Sequence, residues 1–170
     1  MPANTDPPSG EVPVETIKLS MMRKTIARRL TESKQQVPHF YLTVRCNLDP
    51  ILRLRGEINT RLENDGIKVS VNDMLMKVMA AALKEVPDAN VQFAGDQLLR
   101  FRRADISMAV ALDGGLVTPV VKGVDLLPLT DLSQRTRLLI ERAREGGLLP
   151  EDYRGGTCSI SNLGRVDEFG

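Results

Sequence analysis

An α+β fold, a mixed β-sheet flanked by helices, follows from three features of the sequence. Three stretches between Ser20 and Val86 repeat apolar residues at helical spacing, and the period then falls to two between Asn90 and Lys122. A fourth helical stretch leads into a last alternating run, TCSISNL. Strands and helices do not alternate as a doubly wound parallel sheet requires, and no internal repeat is visible. At 170 residues, 42% of them hydrophobic and 26% charged, the chain can bury one sizeable core but is short for two ordinary domains.

The elements follow in order. Residues 1–14, MPANTDPPSGEVPV, carry four prolines and little bulk, and read as a flexible linker ahead of a main domain over residues 15–170. Ser20 can cap a first helix, with Met22, Ile26 and Leu30 on one face and Arg23, Lys24, Arg28, Arg29 and Lys34 elsewhere. Val37-Pro38 ends it, and HFYLTVRCNL, residues 39–48, alternates as a strand. Asp49-Pro50 opens a second helix with Asp49 as cap, and Asn64-Asp65-Gly66 stops it. Ser70 begins a third, SVNDMLMKVMAAALKEV, with a broad apolar stripe closed by Pro87. A hairpin-rich sheet follows, with turns at Gly95-Asp96 and Asp113-Gly114-Gly115 and an irregularity at Pro119. Helix returns from Thr130 to about Glu145, stopped by Gly146-Gly147, before the terminal strand.

Composition excludes several functions. A net charge of +1 provides no long-range field for nucleic acid or an anionic membrane, and the first-helix arginines read as a solvated or interface face. No apolar run reaches membrane-spanning length, and residues 1–10 lack the pattern of a signal peptide. Cys46 and Cys158 fit no paired metal spacing or disulfide framework, and read as reduced thiols in an intracellular protein. No GxxxxGK[ST], GxGxxG or HExxH occurs. His39, the only histidine, stands between Pro38 and Phe40 at the start of an aromatic stretch and reads as a packing or capping residue. Ser159, Ser161 and Asn162 beside Gly155-Gly156 are short donors on adaptable backbone, suited either to a developing oxyanion or to the polar face of a hairpin.

Four strings in order, KLSMMRKTIARRLTESKQQVPHFYLTVRCNLDPILRLR, KVSVNDMLMKVMAAAL, GGLVTPVV and YRGGTCSISNLG, resemble the catalytic domain of the dihydrolipoamide acyltransferases. These are core subunits of 2-oxo acid dehydrogenase complexes, and the acetyltransferases of pyruvate dehydrogenase complexes are the most similar. The resemblance covers Ile17 to Leu163. It implies a chloramphenicol acetyltransferase-like fold, a homotrimer with active sites between subunits, and a larger cubic or dodecahedral core. It also implies acyl transfer, acetyl being the expected group, between a dihydrolipoyl thiol and coenzyme A. Coenzyme A would be a substrate, the lipoyl group would come from another domain or chain, and no metal is expected. The other partners implied are dehydrogenase-complex subunits, and the expected compartment is a bacterial cytoplasm or, alternatively, a mitochondrial matrix.

Residue by residue, the resemblance makes Ser161 the oxyanion donor, with Asn162 after it on the coenzyme-facing turn. Arg55, Ser70 and Asp113 match positions that contact coenzyme A, an arginine suiting phosphate and the other two suiting polar groups. The family's general base, a histidine in an HxxxDG motif beyond the SNLG turn, has no counterpart in this sequence, and His39 matches a motif histidine that is not the base. Against the family pattern, RVDEFG is also shorter than the usual run after that turn, and the resemblance leads one to expect further strands completing the sheet beyond it. The expectation is a truncated acyltransferase, weak or inactive alone. The alternatives are a non-catalytic structural or assembly subunit, and an independent acetyltransferase acting on a small hydroxyl acceptor.

Overall fold

In a computed structural model of the chain, which describes residues 14–112 and 115–162, the elements fall into two units, Met1–Phe40 and Tyr41–Gly170. All but the last residue of the Pro-rich linker, together with Asp113 and the RVDEFG end, lies outside the described residues.

The first unit holds helix α1, Met21–Gln36. The Ser20 hydroxyl accepts the Arg23 backbone N–H at 3.3 Å, as a capping serine should, and Val37 turns to extended backbone ahead of Pro38. Glu32 pairs with Arg28 at 2.9 Å and Arg29 at 3.8 Å on the solvated face. No residue of α1 is buried.

Residues 39–48 do not form the expected strand. They run without regular structure, with Tyr41, Leu42 and Val44 each about four-fifths exposed. Alternation encodes a pleat, but a strand also needs a neighbour for its backbone groups, and no ladder forms along this segment.

In the second unit, α2 spans Asp49–Arg61. Asp49 is the helix's first residue and not its cap: the cap position is Leu48, and the Asn47 side chain accepts the Asp49 N–H at 2.9 Å. The carboxylate thus sits in the first turn, where the helix dipole favours it. Gly66, at φ +67°, closes the turn after α2, a left-handed conformation that glycine adopts without strain. Helix α3 covers Val71–Glu85 and α4 covers Leu129–Arg144, close to the expected bounds.

The period-two region divides into separate pairings. Strands β1 (Val91–Ala94) and β2 (Gln97–Arg100) form an antiparallel hairpin around Gly95-Asp96. Strand β3 (Ile106–Met108) is central to a mixed sheet: β6 (Val120–Val121) pairs with it antiparallel, and β7 (Cys158–Ile160) parallel, with Ile106 opposite Val121 on one side and Cys158 on the other. Strands β4 (Val110–Leu112) and β5 (Gly115–Val117) form another antiparallel pair. Pro119, which has no N–H to give, separates β5 from β6, and its carbonyl accepts the Met108 N–H at 3.0 Å.

Helices α3 and α4 cover this sheet. Met76, Ile106 and Leu132 are fully buried at the junction, each contributing about 1.5–3 kcal/mol by removal from water. Lys77 pins the turn before α4, its ammonium donating to the carbonyls of Val124, Asp125 and Leu127 at 3.1, 3.1 and 2.7 Å.

Candidate active site

The N-terminus of α3 is the hub of the site. Ser70 and Asp73 form a reciprocal capping box: the Ser70 hydroxyl accepts the Asp73 N–H at 3.1 Å, and Asp73 Oδ2 accepts the Ser70 N–H at 2.7 Å. The Ser70 hydroxyl also donates to Asp73 Oδ2 at 2.7 Å. Asp73 is almost wholly buried, and its other oxygen accepts the Thr136 hydroxyl of α4 at 2.6 Å. One carboxylate therefore starts α3 and locks it to α4.

Helix α2 reaches the same point through Asn59. Its amide donates to the Val69 carbonyl at 3.0 Å, and its carbonyl accepts the Val69 N–H at 2.8 Å, gripping the backbone just before Ser70. Arg55 lies one turn earlier on the same face of α2, half-buried. Its Nε is buried and has no hydrogen-bond partner among the described residues. A buried N–H without an acceptor is costly, and an anion would satisfy it.

The third approach is the turn after β7. The strand's start is anchored where Asp105 and Thr157 exchange backbone and hydroxyl hydrogen bonds, including Thr157 N–H to Asp105 O at 2.7 Å. Asp105 itself is buried and accepts both Arg103 Nε and Nη2 at 2.7 Å and the Gly123 N–H at 2.7 Å. The hydrogen bond and charge of Asp105 hold the Arg103 guanidinium above its ordinary pKa. Beyond β7, Ser161 and Asn162 are exposed, and the Asn162 amide donates to Asn72 Oδ1 on α3 at 3.0 Å. The Ser161 hydroxyl makes no hydrogen bond with a described residue, so its donor is available to a ligand.

Of the residues the sequence singles out, the structure thus brings Ser70 and Asn162 to one helix end and sets Arg55 on the helix that grips it. Ser70 is primarily the cap of α3. Asp113 lies outside the described residues. His39 belongs to the first unit, exposed, with Nδ1 donating to the Val37 carbonyl at 2.6 Å. Asn59, Asn72, Asp73 and Thr136 are additions. The Ser-x-x-Asp spacing of SVND signals the capping pair, whereas the roles of Asn59, Asn72 and Thr136 arise only from tertiary contacts.

Cys158 sits under this turn, half-buried, its Sγ 3.5 Å from the Met79 sulfur. Burial pushes its thiol pKa up, against a smaller opposing effect of a backbone hydrogen bond with Ser159. A raised pKa means less thiolate at neutral pH, and the thiolate is the nucleophile. Iodoacetamide is therefore expected to label exposed Cys46 first, with Cys158 reacting more slowly and only as pH rises above the usual thiol range. Mass spectrometry of timed digests would show this, and equal labelling of both at neutral pH would contradict it.

Among the described residues, no cluster of three or more His, Cys, Asp or Glu side chains could hold a metal, and no helix is long and apolar enough to cross a membrane. The 2-oxoacid dehydrogenases acyltransferase catalytic-domain family matches over residues 11–169. The chain belongs to this family. It is 56% identical over 154 residues to the dihydrolipoyllysine-residue acetyltransferase component of the pyruvate dehydrogenase complex from Zymomonas mobilis, covering 91% of this chain and 35% of that protein. The chain thus spans about a third of the length of the curated relatives it matches.

Solved structures agree on the fold. One, from a crystallographic and enzymatic study of a serine, a histidine and an asparagine in the catalytic mechanism of Azotobacter vinelandii dihydrolipoamide acetyltransferase, matches with TM-score 0.84 and 29% identity. Another, the cubic core of the pyruvate dehydrogenase multienzyme complex, matches with TM-score 0.84 and 28% identity. Each match covers 95% of this chain and 70% of the other. The α+β class and the acyltransferase-core fold are those the sequence leads one to expect.

Proposed function

We propose that this chain is the acyl-transferring part of a 2-oxo acid dehydrogenase complex, moving an acetyl group between a dihydrolipoyl thiol and coenzyme A. The observation that carries the reading is the Ser161 hydroxyl, exposed and with no described partner, on a turn clasped to the start of α3. In the transfer, a thiolate attacks the thioester carbonyl, and the resulting oxyanion takes a hydrogen bond from Ser161. Collapse of the tetrahedral intermediate expels the other thiolate. The Arg55 Nε fits a phosphate of coenzyme A, and Ser70, Asp113 and Asn162 complete the coenzyme-facing set. The base that removes the attacking thiol's proton is not among these 170 residues by the family pattern, since the only histidine is His39.

The same reading makes residues 1–14 a linker to a lipoyl-bearing part. It places the protein in a trimer-based core with dehydrogenase-complex subunits as partners, in a bacterial cytoplasm. The test is acetyl transfer from acetyl-CoA to dihydrolipoamide by the full-length protein and its Ser161→Ala variant. Loss of one oxyanion donor should lower kcat about 100-fold with KM little changed. Absence of both transfer and coenzyme A binding in the parent protein, or unchanged transfer in the variant, would refute the reading.

A further inference from the structure

We propose that Asn72 is a positioning residue for acyl transfer, its side-chain carbonyl holding the turn that presents Ser161. The inference rests on the role proposed above for Ser161. Strand β7 leaves the ladder at Ile160, whose carbonyl accepts the Ala109 N–H at 3.0 Å. Ser161 lies one residue past this backbone bond, and the next tie to a described residue is the side-chain bond from Asn162 Nδ2 to Asn72 Oδ1 at 3.0 Å. Ser161 is thus bracketed between a sheet and a helix.

The helix end of that bracket is rigid. Asn72 is the second residue of α3, between the two members of the capping box, in a turn tied to α4 by Thr136 and preceded by backbone gripped by Asn59. An oxyanion donor acts only within about 0.5 Å of its productive place, so anchoring matters more to rate than to folding. The clasp itself is a neutral hydrogen bond with an exposed donor residue, and contributes little to stability. Asn72 acts as acceptor, so an aspartate in its place keeps the clasp and suits the helix N-terminus.

The experiment measures acetyl transfer and melting temperature for the full-length protein carrying Asn72→Ala, Asn72→Asp, Ser161→Ala, or Asn72→Ala with Ser161→Ala. Hydrogen exchange of the Ser161 and Asn162 amides is followed in the same proteins. Asn72→Ala should lower kcat about tenfold, leave KM for coenzyme A and the melting temperature nearly unchanged, and add nothing to Ser161→Ala. Asn72→Asp should recover most of the rate. Exchange at Ser161 and Asn162 should quicken in Asn72→Ala while the amides within α3 stay protected. If Ser161→Ala loses rate and Asn72→Ala does not, the positioning role is overturned and the role of Ser161 stands. If Ser161→Ala keeps its rate, the reading of Ser161 fails, and unchanged exchange in Asn72→Ala then overturns the clasp as well.

Discussion

Asp73→Ala is expected to destabilise the fold by about 4 kcal/mol, a large part of the stability of an ordinary domain. The carboxylate is the acceptor for three donors: the Ser70 N–H, the Ser70 hydroxyl and the Thr136 hydroxyl, at 2.6–2.7 Å. Alanine removes one half of the capping box, worth about 1 kcal/mol. It also removes the charged acceptor of the Thr136 hydroxyl, buried at 4% exposure, and leaves the Ser70 N–H short of an acceptor, each at about 1–3 kcal/mol. Thr136 keeps a bond to the Ser133 carbonyl at 3.0 Å, which moderates the total. Urea midpoints would measure the loss, and Thr136→Val in the Asp73→Ala background should recover part of it by removing a buried hydroxyl that has lost its carboxylate partner. A midpoint within experimental error of the parent would mean that α3 starts without this carboxylate. Because α3 also carries Asn72, the same change should loosen the Ser161 turn at temperatures where the protein is still folded.

The sequence exposes this part of the site unevenly, for physical reasons. Local rules suffice for the capping serine, the helix bounds and the turn glycines, because caps and left-handed turns are settled within four residues. Ser20 and Ser70 both cap as their spacing implies. Asp49 does not, because the helix starts one residue earlier, with Leu48 at the cap position and Asn47 accepting the Asp49 N–H, a shift that composition cannot rank. Residues 39–48 show the opposite limit, since their alternation is genuine but a strand exists only with a neighbour. The site behaves likewise: Ser161 and Arg55 emerge from motifs, whereas the Asn162–Asn72 clasp joins residues 90 positions apart and leaves no local signal. The partnerless Nε of Arg55 is visible only once its surroundings are folded.

Replacement of Gly156 by valine should cost about 3 kcal/mol, through overpacking where β7 enters the sheet. A Cβ built on Gly156 overlaps the Ser107 Oγ, and its next neighbours are Ser107 Cβ and Val120 Cγ2, both at 3.6 Å. Ser107 is buried on β3, directly opposite Ser159 on β7, so it can yield only by rotating its hydroxyl. Alanine at Gly156 should therefore cost less than valine, whose added methyls meet Val120 as well. The decisive comparison is Gly156→Ala in a Ser107→Ala background, where the overlapping atom is gone and the remaining contacts are ordinary. There the penalty should largely vanish, a non-additivity that a general loss of glycine flexibility would not produce. Equal penalties in the two backgrounds would show that the restriction lies in the backbone of the Gly155-Gly156 pair and not in this contact. The consequence for the proposed site follows from the register: Gly156 precedes β7 by two residues and Ser161 follows it by one, so a shift forced at the strand's entry is passed along a three-residue ladder to Ser161. On the proposed function, Gly156→Val should then lower acetyl transfer even among molecules that remain folded.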